Sequence, residues 1–202
     1  GAGLTYGPLG SSHHALEDIA IMRSLPDMTV LCPGDPIETR ELIKRSYEYE
    51  GPVYIRLGKN GEPKIHPDET RIEIGKSITV LEGNDLALIT TSNMLETGKK
   101  WVEEWKQDGV NVSLISMPSL KPFDSSTVKN LIDKEIPIIT LEEHSVIGGL
   151  GSIISQVIAT TGKPVKFQQI GINDKFSHVV GGHEFQRKKF MLDKKPSLKF
   201  IE

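Results

Sequence analysis

Little in this chain invites a disulfide, a membrane or a polyanion. Its 202 residues include one cysteine, Cys32, so no internal disulfide framework forms and a reducing, cytosolic setting fits. Beside Val30 and Leu31, that cysteine reads as a buried strand residue rather than a catalytic thiol. No apolar run approaches the roughly 20 residues needed to span a bilayer, and no signal peptide is visible. The formal net charge is -3, so no basic field calls for nucleic acid. Metal-ligand spacings are also missing: neither HExxH nor paired cysteines accompany the histidines. The composition describes a globular intracellular protein, long enough for one large domain or two small ones.

What is present alternates between helix and strand. Ala15, Ile19 and Met22 share a helical face that Pro26 ends. Met28–Leu31 reads as a short strand. Asp35-Pro36-Ile37-Glu38 then sets an acid at the N-cap and proline at the first helical position, predicting a helix to about Tyr49. Val53–Leu57 reads as a strand, and the polar, proline-containing stretch 59–69 as a linker. Beyond it, 71–74 and 78–81 are expected to form a hairpin. Strands are expected at 86–90, 112–116, 138–141 and 165–170. Helices are expected on the Met94-Gly98-Val102-Trp105 stripe, after Asp124, and along Leu150-Ile154-Val157-Ile158. This order implies an α/β fold with a parallel, doubly wound sheet and ligands at strand C-terminal ends. After Ile172 the pattern weakens into a basic tail in which His178 and His183 read as solvated or interfacial.

Three places carry candidate chemistry. The loop Gly7-Pro8-Leu9-Gly10-Ser11-Ser12-His13-His14 delivers two histidines to a helix start, with Glu17 and Asp18 in its first turn. Histidine exchanges protons near neutral pH. Composition alone divides evenly between catalysis and backbone capping there. Arg56, at a strand end beside Leu57-Gly58, suits bidentate capture of a phosphate or carboxylate, against the plain alternative of an ion pair. Gly148-Gly149-Leu150-Gly151 before a helix can expose backbone N–H groups to an anion, although no Lys-Ser/Thr follows as in a Walker loop.

Taken in order, these motifs resemble the transketolase group of thiamine-diphosphate enzymes. Ser12-His13-His14, Glu17-Asp18, Arg23-Ser24-Leu25-Pro26-Asp27-Met28, Pro33-Gly34-Asp35-Pro36 and Ile55-Arg56 resemble the second half of the pyrimidine-binding domain. Asp85–Thr91, Leu120-Lys121-Pro122-Phe123-Asp124, and Leu141-Glu142-Glu143-His144 with Gly148–Gly151 resemble the family's C-terminal α/β domain. The separately encoded C-terminal sections of split bacterial transketolases look most alike. The resemblance divides the chain into a partial pyrimidine-binding domain (1–64), a linker (65–73) and a C-terminal domain (74–202).

That resemblance implies transfer of a two-carbon ketol unit between phosphosugars with thiamine diphosphate and Mg2+, the metal ligands lying on another domain. His13 is then the expected catalytic and cofactor-facing residue, beside the aminopyrimidine and the substrate carbonyl. His13, His14 and Arg56 are the expected substrate contacts, with Arg56 clamping the phosphate. His14 stands where glutamine is common. Leu9 stands where an aspartate reads the donor hydroxyls, and Gly1 where a further histidine binds substrate, so the resemblance does not carry the standard sugar specificity over to this chain. The glutamate that protonates the pyrimidine ring, its stacking aromatics and the diphosphate–metal motif have no counterpart in this sequence. The chain is therefore expected to be inactive by itself. It is expected to work with an N-terminal transketolase section or an upstream domain, in a homodimer or heterotetramer, without nucleic acid or membrane. Two other enzymes share this domain order: a 1-deoxyxylulose-5-phosphate synthase and a 2-oxo-acid dehydrogenase beta subunit. A non-catalytic dimerisation module is the third reading, with Trp101 and Trp105 marking its surface unless their helical spacing places them in the core, as such spacing more often does.

Overall fold

A computed structural model describes residues 1–59 and 61–200. Two sheets organise them. The N-terminal segment supplies α1 (Asp18–Ser24), β1 (Thr29–Leu31), α2 (Pro36–Ser46) and β2 (Val53–Ile55). The remainder supplies β3 (Ile78–Leu81), β4 (Leu86–Thr90), α3 (Leu95–Gln107), β5 (Val112–Ser116), β6 (Ser119–Lys121), α4 (Ser125–Asp133), β7 (Ile138–Ser145), α5 (Leu150–Thr161), β8 (Phe167–Ile172) and α6 (His183–Lys189).

The larger sheet has the order β3-β5-β4-β7-β8, with β4 parallel to both neighbours and β8 parallel to β7. Every residue of β4 is buried, as expected for a central strand covered on both faces. Its alternation divides the core. Leu86 and Leu88 pack with Trp101 and Trp105 of α3, whereas Ala87 and Ile89 pack with Val128, Ile132 and Ile154 of α4 and α5. The two tryptophans are edge-to-face at 6.1 Å and 1–2% exposed, so they belong to the core and not to a dimer surface.

The smaller sheet, β2-β1-β6, joins the two halves of the chain. β1 runs parallel to β2 but antiparallel to β6, which arrives from beyond β5. Ile19, Val30 and Cys32 enter the same core as Ala87 and Ile89. Among the described residues, Leu31, Ile37, Leu42 and Ile72 form a buried apolar cluster apart from the main cores.

The structure corrects several expectations. No hairpin forms at 71–78: Arg45 Nε holds the Ile72 carbonyl at 2.6 Å, Ile72 packs beside α2, and β3 instead runs antiparallel to β5. α2 ends at Ser46, where the chain tightens into i−3 bonds from Tyr47, Glu48 and Tyr49. β7 extends four residues further than expected, carrying Glu142-Glu143-His144 into the sheet. Beyond Ile172 the chain is not merely a tail, because α6 packs against the turn at Gly7–Leu9. Among the described residues, no helix is long and apolar enough to cross a membrane.

Candidate active site

The histidine loop is closed at its base by a two-bond bridge. Gly3 N donates to Ala15 O at 3.1 Å, and Ala15 N returns a bond to Gly3 O at 3.0 Å. Gly3 has φ +58, and a Cβ there would overlap the Glu143 carboxylate, so glycine is required on both counts. Between these limbs lie two short 3-10 turns, Gly7–Leu9 and Ser11–His13.

The loop presents its histidines differently. His13 is exposed, with Ser12 Oγ 3.0 Å from Nδ1. His14 is half-buried, and neither of its ring nitrogens has a hydrogen-bond partner. Burial lowers its pKa, against the pull of Glu143 and Glu17. A neutral imidazole with both nitrogens free can donate from one and accept at the other.

Arg56 sits just past β2, as its sequence position implied, but it does not face outward. The residue is 2% exposed. Nε donates to Asp18 Oδ2 at 2.8 Å, Nη1 to Ser92 Oγ at 3.2 Å, and Nη2 to the Ala15 and Glu143 carbonyls at 2.7 and 3.1 Å. Asp18 also accepts from Tyr54 Oη at 2.7 Å. Burial would raise the Asp18 carboxyl, but the Arg56 charge and these bonds bring it below the usual range. The expected phosphate clamp is thus turned inward, with each guanidinium nitrogen engaged inside the chain.

The glycine cluster also meets an internal partner. Leu150 N and Gly151 N, at the start of α5, donate to Glu142 at 2.7 and 2.9 Å. The anion expected at those amides is a side chain of β7. Glu142 is buried, and desolvation pushes its pKa up to about 7 despite those two bonds. Glu143 points elsewhere, to Leu4 N, Asn93, His183 and Arg187. Burial opposes its ionisation, but His183 and Arg187 bring it down to about 2. Next in the strand, buried His144 is pushed down to about 4 by desolvation and the nearby Arg56 charge. Its Nε2 and Asp18 Oδ1, 4.0 Å apart, both lack hydrogen-bond partners.

Sequence reasoning missed a second buried cluster. Asp35 caps α2 through Glu38 N at 2.7 Å and also accepts from the Ile65 and His66 amides at 2.9 and 2.8 Å. The His66 ring lies 3.1 Å from Asp35 and 3.5 Å from Glu38. Desolvation raises Glu38 to about 7, while bonds from His66 and the backbone outweigh burial and hold Asp35 near 2. The stretch that read as a linker is therefore pinned to α2. The one cue in sequence was a histidine among prolines.

A cavity of about 360 Å³ opens where the parallel strands β1 and β2 end, between Pro33-Gly34 and Leu57-Gly58-Lys59. The Lys59 ammonium lies 5.6 Å from the centre of the Tyr6 ring, which brings a cation to the edge of the histidine loop. Among the described residues, no group of three or more His, Cys, Asp or Glu is arranged to hold a metal ion.

Comparison with known proteins gives this geometry a family. The model of the transketolase pyrimidine binding domain matches residues 1–63, and that of the transketolase C-terminal domain matches residues 75–194. One of the subunits of the apulose-4-phosphate transketolase of Actinobacillus succinogenes is 33% identical over 95% of this chain and 62% of its own length. The 1-deoxy-D-xylulose-5-phosphate synthase of Shouchella clausii is 35% identical over 87% of this chain and 28% of its own. A solved split gene transketolase, described as an inactive beta4 tetramer, superposes with a TM-score of 0.85 at 35% identity, over 91% of this chain and 59% of that one. The chain spans about three-fifths of the length of the split-transketolase relatives it matches.

Proposed function

The chain belongs to the transketolase family, and from that premise we propose that it supplies the pyrimidine-side histidines of a thiamine-diphosphate enzyme that moves a two-carbon ketol unit between phosphosugars. One observation carries the reading: a short, backbone-closed loop presents one exposed histidine and one histidine with two free ring nitrogens. Thiamine diphosphate, when bound, supplies the carbanion chemistry, and the protein supplies orientation and proton control. The unpartnered, half-buried His14 suits a site that takes a heterocyclic or polyhydroxylated group. Holding a diphosphate with Mg2+ falls, on this reading, to an N-terminal section or further domain in a multimeric assembly.

His13 exchanges a proton with the carbonyl oxygen of the substrate, a task for which its exposed imidazole is accessible. His14, kept neutral by burial, offers a donor and an acceptor to substrate hydroxyls. Arg56 acts from behind: its bond to the Ala15 carbonyl fixes one limb of the loop instead of gripping phosphate. Lys59 and Arg40 are the cations that line the cavity beside the loop, with Lys59 the one near Tyr6.

Alone, the chain is expected to bind little thiamine diphosphate and to show no turnover. Co-expression with an N-terminal transketolase section and a complete pyrimidine-binding domain should give thiamine-dependent ketol transfer. No activity of that assembly on any phosphosugar pair sinks the proposal. Pyruvate as donor separates the synthase and dehydrogenase readings, since acetyl transfer or decarboxylation would displace ketol transfer.

A further inference from the structure

Behind the histidine loop, a buried polar cluster centres on Glu143 of β7. Its enclosed carboxylate accepts from Leu4 N at 2.7 Å, Asn93 Nδ2 at 3.1 Å, His183 Nε2 at 2.8 Å, and Arg187 Nε. Its backbone carbonyl accepts from the same Arg56 nitrogen that holds the Ala15 carbonyl. Leu4 and Ala15 belong to opposite limbs of the loop. One residue therefore grips both limbs, by its side chain on one and through Arg56 on the other.

Two of the four residues that donate to Glu143, His183 and Arg187, lie on α6, and the turn just before that helix touches the loop as well. Gly7 lies so close to the Gly181 carbonyl that a Cβ would overlap it, and Gly181 N approaches Gly7 O at 3.4 Å. Gln186 ties the intervening turn together through Ser177 Oγ at 2.8 Å and the Val179 carbonyl at 2.7 Å. Buried ion pairs are a weak source of stability beside apolar packing, but they fix geometry.

We propose that Glu143, with His183 and Arg187 of α6, is a positioning cluster through which the C-terminal segment sets the His13–His14 loop. None of the three lines the cavity beside Lys59. The link to turnover rests on the ketol-transfer reading, but the anchor itself does not, and the two are tested apart.

Hydrogen exchange on the chain alone tests the anchor, with Glu143→Gln and His183→Ala. The second variant strands no charge, because Arg187 and the Leu4 amide still serve Glu143. Amides of residues 4–14 should exchange at least about tenfold faster in both variants, while those of β4 and β5 keep wild-type rates. His14 is faced by Glu143, Glu17 and His13, so in Glu143→Gln its ring should titrate lower by NMR. In the assembled enzyme, kcat should fall about tenfold with KM within about twofold. Unchanged loop exchange in folded variants overturns the anchor. Faster exchange with unchanged turnover overturns its role in the reaction. An inactive wild-type assembly refutes the ketol-transfer reading and leaves the exchange result to judge the anchor.

Discussion

The two halves of this molecule are held by different forces. In the C-terminal half, β4 sits between two apolar layers under α3, α4 and α5, and buried charge gathers at the end of β7 that faces the histidine loop. In the N-terminal half, the separate buried apolar cluster holds Leu31, Ile37 and Leu42, joined by Ile72 from beyond β2, and its three-stranded sheet is completed by β6 from the other half. Buried charge fills the gap. Arg56 joins Asp18, Tyr54 and Ala15, Glu143 holds Leu4, and Asp35 with Glu38 gathers His66 and Ser116. Close-packed apolar layers resist voids without fixing direction, whereas hydrogen bonds set direction as well as distance. The half that presents the histidines is built for position, and the half that supports it is built for stability.

The sharpest way to break this contrast is to remove Arg56. Arg56→Met leaves Asp18 with Tyr54 as its remaining close partner, and stranding a buried charge costs about 3–5 kcal/mol. Urea denaturation should show that loss, together with faster exchange in residues 4–18. A cost below about 1 kcal/mol would show that the network contributes little. Leu88→Ala in β4 should cost about 2–5 kcal/mol by leaving a cavity, and it should lower protection across the whole larger sheet. Local loss confined to the histidine loop in that variant would contradict the division of labour.

Acid should separate the halves without mutation. Glu143 and Asp35 have folded pKa values near 2, below the 4.5 and 3.8 of the free groups. The folded state therefore binds fewer protons than the unfolded chain between these values, so stability falls as pH drops from about 4.5 toward 2. Exchange followed through that range should show the amides near Leu4 and Ile65 opening before those of β4. Simultaneous opening would mean that the two halves share one cooperative unit. The smallest effect expected is that of Ile21→Ser, at a 57% exposed position of α1, which should stay within about 0.5 kcal/mol.

Sequence pattern revealed the apolar half far better than the polar one. The runs at 86–90 and 112–116 and the α3 stripe announced themselves by periodicity, because burial there is a repeating demand on residue type. Glu142-Glu143-His144 looked like the end of a strand because charged residues are rare inside sheets, and only the helix start at Leu150 and the donors of α6 make them fit. β6 is three residues long and pairs with a strand some 90 positions earlier, so no local signal encodes it. The histidine loop was legible as a motif, since its glycines and histidines are local. What lay behind it was not: whether Arg56 points out or in depends on Asp18, Ser92 and Glu143, which come together only in the fold.

The most direct test of the central claim is the turnover of the reconstituted assembly carrying His13→Ala. The account predicts thiamine-dependent ketol transfer in the wild type and a loss of at least about a hundredfold in kcat for the variant, with assembly unchanged on light scattering. Wild-type turnover in the variant would show that the histidine loop lies outside the reaction.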